Sequence, residues 1–167
     1  MDKVSFEETK AVLERELRSE RLKVYFGKRV LDDIHRLVSL MLRDVTNLMA
    51  DKQVSVDDKT IEDLNRVLDA MIDVVSIIPL DERVTDFCQN FARLAYNWNQ
   101  NLRRDRSIER KTRVLDRLLR QHLTIVEATN VLRRLTRRLE RFLDYSPPAF
   151  RLARHFLESV FEEQQPP

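Results

Sequence analysis

Residues 103–143 read RRDRSIERKTRVLDRLLRQHLTIVEATNVLRRLTRRLERFL. Apolar residues and arginines recur in this stretch at helical intervals, and the other helices must close around whatever it forms. Arg106, Arg110, Arg113, Arg117 and Arg120 fall at i, i+4, i+7, i+11 and i+14. At 100° per residue they share an arc of about 80°, a stripe roughly 21 Å long. Val114, Leu115, Leu118 and Leu119 point the other way. Further on, Val131, Leu132, Leu135, Leu139 and Phe142 gather within about 100°, and Arg133, Arg134, Arg137, Arg138 and Arg141 oppose them within about 140°. Between the two patterns Thr124 and Glu127 make a T-x-x-E capping box, the usual mark of a helix start. The expectation is an arginine-rich helical hairpin over residues 103–145.

Outward from there, the chain of 167 residues contains a single glycine, Gly27. Glycine serves the φ > 0 positions of tight hairpins and phosphate-cradling loops, so its scarcity argues against β-rich folds, dinucleotide folds and P-loops. An S-x-x-E box at Ser5 and Glu8 starts a first helix carrying Val12, Leu13, Leu17 and Val24, which Gly27 ends or kinks. Val30, Leu31, Ile34, Leu37, Val38, Met41, Leu42, Val45, Leu48 and Met49 mark a second helix. After a loop at 51–57, a third helix runs over 58–77 until Pro79 stops it. Its second half, AMIDVVSII, is apolar nearly all round and is expected at the centre of the fold. A fourth helix over 81–101 aligns Phe87, Phe91, Leu94 and Trp98 on one face. Tyr145-Ser146-Pro147-Pro148 opens a last amphipathic helix over 147–163. The predicted fold is all-α, a bundle of about six to seven helices in one domain over 1–167, with a short α-solenoid of helical hairpins as the alternative.

Charge divides the chain. Residues 1–100 carry 15 basic and 19 acidic side chains, net −4, whereas 101–167 carry 15 and 9, net +6. Arginine outnumbers lysine 23 to 7, and Lys111 is the only lysine beyond residue 100. Guanidinium forks suit phosphate and carboxylate. Aligned like charges repel by a few tenths of a kcal/mol per pair, so each stripe favours an anionic neighbour. Three neighbours fit: nucleic acid phosphates, an acidic protein surface, or acids of the same chain such as Glu14, Glu16, Glu20, Asp32, Asp33, Glu62, Asp63 and Asp69. Because no aromatic lies between Arg103 and Arg141, nucleic acid contact would be to the backbone, with little sequence reading.

Catalytic and metal patterns are missing. His35, His122 and His155 share no ligand spacing, and the chain has no Glu-x-x-His pair of the di-iron kind. Cys88 lies between Phe87 and Phe91, where a small buried hydrophobe belongs. Tyr96 and Trp98 could line a pocket, but Trp98 completes the apolar stripe of its helix. One cysteine, no signal-like N-terminus and no apolar run of membrane length suggest a soluble, intracellular protein. The expected function is a non-catalytic binding module, a subunit or adaptor without cofactor or metal, whose arginine faces meet nucleic acid backbone. The alternative is a protein-interaction scaffold or oligomer that binds an acidic partner, or docks through its last helix by Phe150, Phe156 and Phe161.

Overall fold

The computed structural model describes residues 1–143, 152, 155–160 and 162, and is all-α. Six helices are described up to residue 143: α1 Lys3–Leu17, α2 Leu22–Tyr25, α3 Lys28–Met49, α4 Asp58–Ile77, α5 Glu82–Leu102 and α6 Arg106–Leu143. The chain divides into two compact units, Met1–Gln121 and His122–Pro167. Helices α1 to α5 and the first half of α6 make the first unit; the second half of α6 belongs to the other.

Aspartate starts most of these helices. Asp2, Asp57 and Asp81 accept from the backbone N–H groups of Ser5, Thr60 and Arg83, and Asp105 accepts from those of Ser107 and Ile108. The box expected at Ser5 and Glu8 is therefore displaced: Asp2 caps α1 and Ser5 lies inside it. The first helix also ends earlier than its apolar pattern implies. Ser19 turns its hydroxyl onto the carbonyl and the carboxylate of buried Glu16, the chain bends, and Val24 on α2 is left exposed. With one glycine to spend, the chain makes left-handed turns elsewhere. Asp51 (φ 55°) and Arg104 (φ 50°) take positions usually given to glycine, and the Arg104 N–H closes α5 onto the Asn99 carbonyl at 2.7 Å.

In the first unit α1 packs on α5 and α3, and α3 packs on α2, α4 and α5. Contact between the first and fifth helices makes a bundle, since a solenoid would pair only neighbours in sequence. Its centre is α5, whose Phe87, Cys88, Phe91, Leu94, Ala95 and Trp98 are all fully buried. The expectation for α4 is corrected. Ile61, Leu64, Val67, Leu68 and Met71 are buried, but beyond Met71 the run comes to the surface: Val74 and Val75 are only half-buried and Ile77 is 78% exposed. An all-apolar run at a helix end does not distinguish the centre of a core from its rim.

Two buried carboxylates tie the layers. Asp44 on α3 accepts from Trp98 Nε1 at 2.9 Å, with Arg43 at 3.5 Å from its other oxygen. Asp63 on α4 lies between the guanidiniums of Arg36 and Arg66, the former 2.6 Å away and reaching across from α3. Burial pushes the Asp63 carboxyl up, but the two arginines outweigh it and hold it below the usual carboxylate range.

Candidate nucleic-acid interface

The largest departure from expectation is α6. Residues 106–143 form one continuous helix in place of the hairpin expected over 103–145. The Thr124–Glu127 box starts nothing, because no glycine or proline between residues 105 and 146 interrupts the preceding helix. Inside a running helix, a threonine hydroxyl has the carbonyl one turn back as acceptor, as Thr129 and Thr136 illustrate.

The first half of α6 is seated by Ile108, Thr112, Leu115 and Leu119, buried at i, i+4, i+7 and i+11. The hydroxyl of Thr112 is satisfied within the helix by the Ile108 and Glu109 carbonyls. Polar contacts fix the entry turn. Asn99 brackets Asp105 with two hydrogen bonds of 2.9 Å, and Arg103 binds the Val56 carbonyl and the Asp58 carboxylate. Along the helix, Ser107 donates to Asn65 and Lys111 pairs with Asp69 at 3.0 Å, both on α4. Leu118 is half-buried and Val114 partly exposed, so the apolar side is the one read from the sequence.

Opposite this ridge Arg106, Arg110, Arg113, Arg117 and Arg120 are all exposed. Arg113 pairs with Glu109 at 2.8 Å and Arg120 with Asp116 at 2.9 Å, each within the helix. Among the described residues Arg106, Arg110 and Arg117 form no ion pair. Five of the eight acids that could have neutralised the stripe are engaged with other cations, and Glu14, Asp32 and Glu62 form no ion pair with the stripe among the described residues. Glu16 meets Arg15 and Arg21, Glu20 meets Lys23, and Asp33 and Asp63 meet Arg36 and Arg66. Asp69 reaches α6 but takes Lys111.

Two α5 residues join this face: Arg93, which the sequence reading did not single out, and Tyr96, which it allowed to line a pocket. Arg93 and half-buried Tyr96 on α5 line a shallow cleft of about 230 Å³ with Thr112, Arg113, Asp116 and Arg120. The Arg113 guanidinium lies over the Tyr96 ring, 5.9 Å from its centroid. A hydrogen bond to the Tyr96 side chain, and then the Glu109 carboxylate, raise the Arg113 pKa above its ordinary value. The clue was available in outline: Arg93 and Tyr96 lie across α5 from its Phe87–Trp98 stripe. Their meeting with α6 could not be read from spacing.

In the second unit Arg133, Arg134, Arg137, Arg138 and Arg141 are exposed as well. The apolar residues expected to be buried behind them are not: Val131, Leu132, Leu135 and Leu139 are each nearly half exposed. Of the last-helix candidates, Phe156 is exposed, whereas Phe150 and Phe161 lie outside the described residues.

The remaining candidates have structural settings. Cys88 is fully buried and its thiol is pushed up to about 12 by loss of water, which keeps it protonated at neutral pH. His35 and His155 are exposed and His122 is half-buried. Among the described residues no group of three or more His, Cys, Asp or Glu side chains is placed to hold a metal ion, and no helix is long and apolar enough to cross a membrane. Comparison with protein-family models, curated proteins and solved structures returned no match.

Proposed function

We propose that the protein is a non-catalytic binding module whose first-half α6 face, Arg106 to Arg120, holds the phosphate backbone of a nucleic acid. One observation carries the reading: the stripe is exposed, and Arg106, Arg110 and Arg117 meet no acid of the same unit among the described residues. Arg106, Arg110 and Arg117 fall within an arc of about 40° over about 16 Å, spaced to meet successive phosphates and to release their counterions. Arg93 and Tyr96 add a cation and an aromatic edge at the side of the stripe, which favours a strand with accessible bases over a closed duplex. Nothing in the face offers the side-chain set of a base reader, so binding is expected to be tolerant of sequence.

Salt dependence tests this. For single-stranded RNA or DNA, each phosphate contact contributes about 0.7 to the slope of log K against log salt. The Arg106→Glu, Arg110→Glu, Arg117→Glu variant should lose affinity and show a slope smaller by about 2. All three side chains are exposed, so the fold should survive the change. An affinity indifferent to salt, or equal in wild type and variant, contradicts the proposal.

A further inference from the structure

The second half of α6 carries a feature that the nucleic-acid reading leaves unused. Ile125, Ala128, Leu132, Leu135 and Leu139 are spaced 3, 4, 3 and 4 residues apart, the a/d rhythm of a coiled-coil seam. The four large ones are between 46% and 64% exposed, and Val131 beside them is 48% exposed. The seam spans about 21 Å of helix, five a/d positions over two heptads.

Its two flanks differ. On one side Thr129 is half-buried and Thr136 only 9% exposed, and both turn their hydroxyls back onto their own helix, to the Ile125 and Leu132 carbonyls. That side exposes less surface. On the other side stand Arg134, Arg138 and Arg141, all exposed. Arg138 takes a g position, from which a side chain reaches across to the partner helix.

We propose that this seam docks an amphipathic helix of another protein, leucine-like along its apolar edge and acidic along the edge that faces Arg134, Arg138 and Arg141. Charge complementarity selects that occupant. An antiparallel second copy would bring arginine flank against arginine flank, which is repulsive, and a parallel one would set the arginines against the Thr129–Thr136 flank, which offers no carboxylate at its e positions. An anionic membrane would suit the arginines, but a helix lying in a bilayer surface buries a broader apolar face than this arc of about 80°, and needs both flanks free. With the first-half stripe on nucleic acid, such a dock would make the protein an adaptor. The two bindings use different residues and can fail separately.

The test uses the full chain and two synthetic helical peptides of three heptads, both with leucine at a and d. One carries glutamate at e and g, the other lysine. The wild type should bind the glutamate peptide at least about tenfold more tightly than the lysine peptide, and Arg134→Glu with Arg138→Glu should reverse that preference. Leu135→Asp should abolish binding of both peptides. Because the arginines and the seam leucines are exposed, circular dichroism should find all variants folded. The preference and its reversal together support the dock. Equal binding of the two peptides, no binding, tighter binding to vesicles of anionic phospholipid, or a stable homodimer that excludes the peptide would each overturn it.

Discussion

Replacing Trp98 by alanine should cost about 3–5 kcal/mol, the largest loss expected from any single truncation in the first unit. Trp98 is fully buried on the central helix, so its removal leaves a large cavity that neighbouring rings can only partly fill. It also strips a buried carboxylate of its donor, since Asp44 Oδ2 accepts from Trp98 Nε1 at 2.9 Å and Asp44 is itself 2% exposed. Trp98→Phe separates the two effects. It keeps most of the aromatic volume, removes the N–H, and should cost about 1–3 kcal/mol for the orphaned acceptor alone. Urea denaturation of the two variants measures both. A Trp98→Phe protein as stable as wild type would mean that the bond contributes nothing and that Arg43 alone satisfies Asp44.

Proline at position 125 gives the second large effect. In a hairpin capped at Thr124, Ile125 would be the first helical residue, where proline is welcome. In the continuous α6 the same proline deletes an internal hydrogen bond and collides with the preceding turn, at about 3 kcal/mol or more. Ile125 is 64% exposed, so little packing is lost with its side chain, and Ile125→Ala serves as control. Ile125→Pro should lower ellipticity at 222 nm and remove amide protection on either side of residue 125, whereas Ile125→Ala should do neither. Matching behaviour of the two variants would restore the hairpin.

These two sites mark the limits of what could be read from the sequence. Elements with strong punctuation came through: α4 starts after Asp57 and ends before Pro79, and α3 follows its ten-residue apolar stripe. The α6 break did not. A T-x-x-E box resembles a helix start locally, and only the absence of a helix-breaking residue nearby argued otherwise. Burial was legible where periodicity was clean, as on α5, and misleading where every residue was apolar, as at the end of α4. The Trp98–Asp44 bond joins residues 54 apart, and Tyr96 reaches Arg113 from another helix. Neither pairing leaves a local trace. The arginine stripe itself was fully legible because one helix carries all of it, and its exposure depended on which acids had been taken by other cations.

That exposure underlies the functional claim, and a footprint tests it most directly. In nuclear magnetic resonance spectra of the full chain, the Nε–Hε signals of Arg106, Arg110 and Arg117 should shift together on titration with a short single-stranded oligonucleotide, along with ring signals of Tyr96. The signals of Arg36 and Arg66, held by Asp63, should stay in place. Shifts confined to Arg133–Arg141, or scattered over the cationic surface without preference for the first-half stripe, would contradict the assignment of this face.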